Sequence, residues 1–291
     1  MKAAPFTYHR PDSLDDALAL LAEHGDEAKV LAGGQSLLPI MALRLGRPDH
    51  LVDIGRVPGL DEISVGPDGG VGIGALVRHA TAERSEDIAR HAPLVHEAMP
   101  HVGHRAIRTR GTVCGSIAHA DPAAEMPAVV LATGASMEVA SAGGRREIAA
   151  DDFFEGYLQT AIRPDELLTE VRFPTWPATA GGAVVEVSRR HGDYALVGLV
   201  CRIDVDDGTI TAAALSFFGA AATPVRVPEA EASLVGQSPT HDSFAVAADV
   251  VAATINPGAD LHSSANHRRH LAGVLTRRGL DAAAARIGAL T

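Results

Sequence analysis

The chain has 291 residues, 46% of them hydrophobic and 21% charged, which is enough to bury roughly three quarters of the unfolded surface in a core. Acidic residues outnumber basic ones by 36 to 25, and a net charge of -11 argues against nucleic acid or an anionic membrane as a partner. No apolar run approaches the roughly 20 residues that span a bilayer, and the N-terminal residues lack a signal-peptide core, so the sequence predicts a cytoplasmic protein without a membrane span.

Helix and strand signals alternate along the chain, which predicts a mixed α and β protein. Ser13 and Asp16 have the spacing of a capping box, and apolar residues between Leu14 and Leu21 share one helical face until Gly25 ends the helix. The periodicity then predicts, in chain order, a strand at 29–32, a helix at 37–45, strands at 50–54 and 71–77, a helix at 85–99, a helix from Asp121-Pro122 to Gly134, and strands at 136–141 and 166–173.

Two prolines and two glycines between 174 and 182 interrupt both periodicities, which predicts a linker and a second domain from about residue 183. The pattern beyond it predicts strands at 183–188, 196–205 and 209–218, and helices at 241–254 and 263–288.

A first glycine turn follows the predicted strand at 29–32, in the segment Val30 to Pro39. Gly33 and Gly34 allow close approach of the backbone to a ligand, and amide groups at a turn before a helix form an anion site without a side-chain cation. The segment therefore suits a pyrophosphate, although a tight turn between strand and helix explains the same residues.

A second glycine turn lies between Gly111 and Ser116, within the segment 108–125. The hydroxyls of Thr112 and Ser116, small residues between them and the carboxylate of Glu125 are typical of a loop that binds phosphate and ribose hydroxyls. A capped helix after a strand accounts for part of this pattern.

The segment Ser188 to Ala195 lies at the end of a predicted strand. It contains two arginines, an aspartate and Tyr194 close to a glycine. It could face a flavin ring or the other domain, or be an exposed hairpin with solvated charges. By contrast, the glycines at 70–74 lie in an alternating strand pattern, which argues against a dinucleotide fingerprint.

Neither metal nor hydrolase chemistry is predicted. His91, His96, His101 and His104, and the C-terminal histidines at 262, 267 and 270, lack the spacing of a zinc helix. The two cysteines cannot supply the four protein ligands of an iron–sulfur cluster, so any cluster is expected on another chain.

The glycine segments and the arginine-rich segment together resemble the FAD-binding medium subunit of molybdenum hydroxylases, the carbon monoxide dehydrogenase and xanthine dehydrogenase family. The resemblance covers nearly the whole chain and includes AGGQSLLPIM at 32–41, LVDI at 51–54, IGA at 73–75, RTRGTVCGSIAHADPAAEMPA at 108–128, RRHGDYA at 189–195 and HRRHLAGVLTRR at 267–278. It implies an α+β fold, with a two-lobed FAD-binding domain of the vanillyl-alcohol-oxidase (PCMH) type over 1–176 and lobes of about 1–55 and 56–176. The family's smaller α+β flavoprotein C-terminal domain would cover 177–291.

The resemblance also assigns FAD contacts. It places the pyrophosphate on Ala32, Gly33, Gly34, Gln35 and Ser36 with Leu37 beside them, and on a matching second loop of Thr112, Val113, Cys114, Gly115 and Ser116 with Ala118 beyond it. His119, Asp121 and Glu125 would lie near the ribityl and phosphate groups, Leu168 and Tyr194 near the isoalloxazine, and Val102 and Gly103 on the adenine side.

Three positions depart from the family pattern, because Gln35, Thr109 and Cys114 replace the usual His, Asn and Gly. At Cys114 a side chain stands where glycine permits close backbone approach, which either weakens binding or indicates an ordinary backbone conformation at that residue.

The function implied by the resemblance is electron transfer. A large partner subunit would carry the molybdenum cofactor, a small one the [2Fe-2S] clusters, and the FAD of this chain would pass their electrons to an external acceptor, in a dimer of heterotrimers. No residue is assigned as a general acid or base. The alternatives are a self-sufficient flavin oxidase or reductase of the same fold, a non-catalytic FAD-binding assembly module, and a structural protein whose glycine turns bind nothing.

Overall fold

Residues 7–53 form a small parallel sheet with the strand order β1-β3-β2. The computed structural model describes residues 2–290. The first elements are β1 (Thr7–His9), α1 (Leu14–His24), β2 (Ala28–Leu31), α2 (Leu37–Ala42) and β3 (His50–Asp53). Ser13 caps α1 by accepting a hydrogen bond from the amide of Asp16 at 3.1 Å, as predicted. The predicted helix at 37–45 ends earlier, at Ala42.

Residues 63–173 form an antiparallel sheet and a group of short helices. The elements are β4 (Ile63–Val65), β5 (Val71–Gly74), α3 (His79–Ala82), α4 (Glu86–His91), α5 (Pro93–Ala98), α6 (Arg105–Arg108), α7 (Val113–His119), α8 (Glu125–Thr133), β6 (Ser136–Ser141), β7 (Gly144–Ala149), β8 (Phe154–Gly156), β9 (Gln159–Thr160) and β10 (Leu167–Phe173). The strand order is β4-β5-β10-β6-β7, and β8 and β9 form a separate hairpin. The glycines at 70–74 lie in or beside β5, which confirms their interpretation as part of a strand.

The single helix predicted at 85–99 is wrong, because the structure has α4 and α5 there. The helix is interrupted at Ala92, whose φ of -137° and ψ of 59° are not helical. Proline at position 93 disfavours a helical conformation in the residue before it and serves as the first residue of the next helix.

A helix buried on every side, α8, links the two halves of the chain. All nine of its residues are buried. It packs against α5 and α7 and also against the sheet that residues 180–226 form. The prediction that it begins at Asp121-Pro122 is wrong: the Asp121 carboxylate accepts from the amide of Ala123 at 2.9 Å in a turn, and the helix begins at Glu125. Gly134 ends it with a φ of 66°, as predicted.

Residues 180–286 form an antiparallel sheet with three helices on one face. The elements are β11 (Ala180–Ser188), β12 (Ala195–Asp206), β13 (Thr209–Phe218), β14 (Val225–Arg226), α9 (Pro228–Leu234), α10 (His241–Thr254) and α11 (Ala265–Arg286). Alternate residues of each strand face opposite sides. Val200 and Phe218 therefore pack into the core shared with α8, whereas Cys201 and Phe217 pack into the core beneath α9–α11.

The linker predicted at 174–182 is shorter than expected, because Gly181 and Gly182 belong to β11. A Cβ at Gly181 would lie 2.1 Å from the carbonyl oxygen of Ala283 in α11. A Cβ at Gly182 would lie 2.9 Å from the side chains of Leu94 and Trp176. These glycines therefore allow close packing and do not provide flexibility.

Glu97 of α5 joins the two halves by polar contacts. Its carboxylate accepts from the amide of Val184 at 3.1 Å and from the guanidinium of Arg286 at 2.6 Å. Between residues 2 and 290, no helix is both long and apolar enough to cross a membrane.

We expect Gly181→Ala to lower stability, since the added methyl group would push α11 away from β11. Overpacking of this kind costs about 1–3 kcal/mol, which corresponds to several degrees in the midpoint of thermal unfolding. Gly258→Ala is the control, because a Cβ there meets no atom within 4 Å. Equal melting midpoints for the two variants would contradict the packing argument.

Candidate FAD site

The first glycine segment leaves β2 and turns into α2. Gly34 has a φ of 71°, and its carbonyl accepts from the amide of Leu38 at 3.2 Å, which closes the turn. The Gln35 side chain donates to the carbonyl of Gly33 at 3.1 Å. Residues 32–37 are all half-buried, so the turn is open to a ligand.

Backbone amides supply the donors at this turn. Within residues 2–290, the amides of Gly33, Gly34, Gln35 and Ser36 donate to no protein oxygen. Four unpaired amides at a turn that begins a helix suit an anion such as a pyrophosphate. The residues present therefore fit the phosphates of a dinucleotide.

The second segment is the start of a helix and not the loop that was predicted. Thr112 caps α7 by accepting from the amide of Gly115 at 3.0 Å, and the residues from Val113 onward are helical. The buried face of α7 carries Val113, Cys114 and Ile117. Its half-buried face carries the other predicted site residues, namely Gly115, Ser116, Ala118 and His119.

The two segments touch through their backbones. A Cβ at Gly33 would lie 2.6 Å from the carbonyl oxygen of Arg110, 2.7 Å from the Cα of Gly111 and 3.1 Å from the nitrogen of Thr112. Since no side chain fits between them, the two turns are held side by side. The pairing expected between the two glycine segments is therefore present in the fold.

Cys114 has an ordinary helical conformation, and its side chain points into the core. The thiol donates to the carbonyl of Ile73 at 3.2 Å, and burial strongly raises its pKa. The residue is 2% exposed, so its side chain does not enter the space between the glycine turns. Of the two possibilities raised by the sequence, the structure supports the ordinary backbone conformation.

Tyr194 brings the C-terminal region to this site. Although 56% of the residue is exposed, its hydroxyl lies near the Ser36 hydroxyl and the Asp121 carboxylate. Burial and the negative charge of Asp121 raise its pKa to about 12, so the phenol remains a hydrogen-bond donor at neutral pH. Three distant parts of the chain thus meet at one point.

A buried acidic cluster lies behind Tyr194. Glu125 is 5% exposed, and its pKa is raised to about 7, chiefly by burial and further by the charge of Glu186. Glu186 approaches His101 Nδ1 at 3.4 Å, and this hydrogen bond raises the pKa of His101. Sequence reasoning missed both His101 and Glu186. The one available signal was a carboxylate inside the apolar strand at 183–188.

His119 and Asp121 lie beside each other at the end of α7. Burial lowers the pKa of His119, and the nearby Asp121 carboxylate partly opposes this effect. A neutral imidazole next to a carboxylate provides both a donor and an acceptor for ligand hydroxyls.

The hairpin between β11 and β12 contacts the segment at 102–104. A Cβ at Gly192 would lie 2.3 Å from His104 Nδ1, and Gly192 has a φ of 86°. Arg108 donates to the carbonyls of Val102 at 3.3 Å and Gly103 at 3.0 Å, which holds this segment in place. The hairpin therefore faces the other half of the chain, as one sequence interpretation proposed.

Leu168 is placed differently from the other predicted site residues. It is 5% exposed, pairs with Val139 in the antiparallel sheet and belongs to the hydrophobic core. Its contact with the isoalloxazine stays a prediction.

Two family models match the chain in consecutive parts. Residues 4–176 match the FAD binding domain in molybdopterin dehydrogenase, and residues 183–283 match the CO dehydrogenase flavoprotein C-terminal domain. The chain belongs to this flavoprotein family. It is accordingly an FAD-binding oxidoreductase subunit of the molybdenum hydroxylase type, as the resemblance implied.

Relatives along the whole chain support the assignment. The 6-hydroxypseudooxynicotine dehydrogenase complex subunit alpha of Paenarthrobacter nicotinovorans is 40% identical, over 96% of this chain and 95% of that one. The carbon monoxide dehydrogenase medium chain of Afipia carboxidovorans is 37% identical, over 97% of each chain. The solved carbon monoxide dehydrogenase of Hydrogenophaga pseudoflava, which lacks the Mo-pyranopterin moiety, has a TM-score of 0.95 at 36% identity, over 98% of this chain and 99% of that one.

We expect Gly33→Ala to lower FAD affinity by at least about tenfold, since its methyl group would separate the two turns that are predicted to bind one pyrophosphate. The flavin content of the purified variant measures this effect, and Gly258→Ala again serves as control. Full flavin content in Gly33→Ala would show that the close contact between the turns is unnecessary for binding.

Cys114→Gly should destabilise the protein without improving flavin binding. Glycine inside a helix costs about 1 kcal/mol relative to alanine, and the loss of the buried thiol adds to this. Cys114→Ala separates the two contributions, and thermal unfolding together with flavin content provides the measurement. A rise in flavin affinity in Cys114→Gly would mean that the thiol obstructs the site.

Glu125 should make stability pH-dependent. Its pKa is about 7 in the folded protein against an ordinary 4.5, so the folded state binds more protons between these values. The contribution of this carboxyl to the free energy of unfolding is present in full below about pH 4.5. As the pH rises through about 7, the free energy of unfolding falls by up to roughly 3 kcal/mol. In the flavin-free chain, Glu125→Gln should match the wild type in stability at pH 5 and exceed it at pH 8.

Urea unfolding at several pH values checks this expectation, with Glu155→Gln at an exposed carboxylate as control. A pH dependence that is the same in Glu125→Gln and in the wild type would contradict it.

Proposed function

We propose that FAD binds across the two glycine turns with its pyrophosphate on the amides of residues 33–36 and on the N-terminus of α7. The observation that carries this proposal is the backbone contact between Gly33 and Gly111, beside the amides of residues 33–36, which donate to no protein oxygen within residues 2–290. When bound, FAD supplies a centre that accepts single electrons and delivers them in pairs. Its proposed contacts are the residues that the family resemblance assigned.

Each group at this site has a role that follows from its chemistry. The free amides and the N-terminal ends of the short helices partly offset the phosphate charge. The protonated Tyr194 hydroxyl is available as a hydrogen-bond donor near Ser36, and Asp121 with His119 suits the ribityl hydroxyls. Glu125, with a pKa near neutrality, holds a proton beside the site.

We infer that the electrons come from [2Fe-2S] clusters of a small partner subunit, after oxidation of a substrate at the molybdenum cofactor of a large one. Cys114 and Cys201 are both buried, and a cluster needs four ligands, which supports placing the clusters on another chain. The proposal includes assembly as a dimer of heterotrimers in the cytoplasm. The external electron acceptor would be quinone, oxygen or a nicotinamide.

Substrate choice is assigned to the large subunit. Relatives of similar identity carry names that refer to caffeine at 39%, nicotine at 39% and carbon monoxide at 37%. Such different substrates served by similar medium chains support a role restricted to electron transfer.

The domain division that we propose is a first lobe of about 1–55, a second of about 56–176 and a C-terminal domain of 177–291. The three main sheets fall within these ranges, and the gap between the two family matches lies at 177–182.

The test is anaerobic reduction of the intact complex, isolated through a tag on this chain. Addition of the complex's own substrate should bleach the flavin absorption, whereas the isolated FAD-loaded chain should be reduced by dithionite but not by that substrate. Turnover of the substrate by the isolated chain would favour a self-sufficient oxidase. A flavin that dithionite cannot reduce would favour a non-catalytic binding module.

A further inference from the structure

Three histidines from different elements meet on the first sheet, away from the flavin site. His9 ends β1, His24 ends α1 and His50 begins β3. One ring nitrogen of each lies within 4.8 Å of the other two, and His9 Nε2 is 2.9 Å from His50 Nδ1. The rings of His24 and His50 are stacked, with centroids 3.6 Å apart.

The strand register explains why the rings meet. Thr7 pairs with His50 and His9 pairs with Val52, so His9 and His50 are diagonal neighbours on one face of the sheet. The buried side of α1 packs against the same sheet, and its last turn carries His24. Gly25, with a φ of 49°, ends the helix directly afterwards.

The donor set is made of imidazoles alone. Neutral imidazole is a good ligand for Zn²⁺, Cu²⁺ and Ni²⁺, whereas Mg²⁺ and Ca²⁺ require oxygen ligands. All three residues are half-buried, and His9 also lines an open groove of about 450 Å³ on the surface. The site thus has three ligands, partial protection from water and one ligand at the surface.

We propose that His9, His24 and His50 bind one divalent transition-metal ion, with Zn²⁺ as the first candidate and water as the fourth ligand. Zinc–nitrogen bonds of about 2.0–2.1 Å in a tetrahedral site separate ligand nitrogens by about 3.3 Å. The 2.9 Å pair must therefore open by a few tenths of an ångström, and nitrogens up to 4.8 Å apart must close to the same spacing. Because an imidazole nitrogen binds a metal in the plane of its ring, the stacked rings of His24 and His50 also have to turn out of their parallel arrangement when the ion binds.

Metal binding is expected to stabilise the first sheet. Its strands are only three or four residues long, so the sheet contributes few ladder hydrogen bonds of its own. An ion held by β1, β3 and the end of α1 ties the helix to two strands of the sheet that carries the first glycine turn. Metal binding in the folded state stabilises that state by mass action.

The test uses the untagged full-length chain, stripped with a chelator and titrated with Zn²⁺ alone in a calorimeter. We expect one ion per chain with micromolar or tighter affinity, and a rise of the thermal midpoint that the chelator reverses. His24→Gln and His9→Gln should each lower the affinity by at least about tenfold. His270→Gln, an exposed histidine on α11, should leave it unchanged.

Substitution by Co²⁺ provides a second readout, because a four-coordinate cobalt site has strong visible bands that His24→Gln should abolish. Retention of flavin by each variant verifies its fold. If both single variants fail that check, the wild-type protein loaded with Co²⁺ is treated with excess Zn²⁺. Loss of the cobalt bands would show a specific site, and persistence of the bands would overturn the proposal. Equal binding by wild type and folded variants, or binding only at millimolar Zn²⁺, would also overturn the proposal.

Discussion

The backbone contact between Gly33 and Gly111 is the constraint on which the FAD site depends. One turn follows a strand of the parallel sheet and the other precedes a helix of the antiparallel region, so the contact joins two separately built parts of the chain. Because neither residue has a side chain, the first turn, whose amides are free, lies directly against the residues that begin α7. Any Cβ at this point would push the two turns apart and separate the groups that are proposed to bind one ligand.

The C-terminal sheet completes the site through the buried helix α8. That helix begins at Glu125 and packs against β12 and β13, so its position determines where the hairpin with Tyr194 can lie. The amide of Gly219 donates to the carbonyl of Pro122 at 2.7 Å, and Gly192 contacts His104. In cofactor-dependent electron transfer the protein's part is to position the cofactor, and these contacts fasten the hairpin to the rest of the site.

Local signals in the sequence predicted the helices that neighbouring residues cap. The helix at 14–24 and the one at 241–254 were predicted closely, because Ser13 and Thr240 cap them through neighbouring residues. Gly181 and Gly182 were assigned to a linker because their close contacts, with α11 at Gly181 and with Leu94 of α5 at Gly182, involve residues that are distant in sequence. The direction of Cys114 likewise depends on which face of α7 meets the sheet. The cluster of His101, Glu125 and Glu186 forms only when β11 packs against α5 and β12 packs against α8, and these elements are distant in sequence.

The most direct measurement is amide hydrogen exchange of the full chain with and without FAD. The account predicts slower exchange at 33–37 and at 113–119 together, at the same FAD concentration, since both turns bind one pyrophosphate. Protection of only one of these segments, or of the glycines at 70–74 in their place, would contradict the claim that the two turns form a single site.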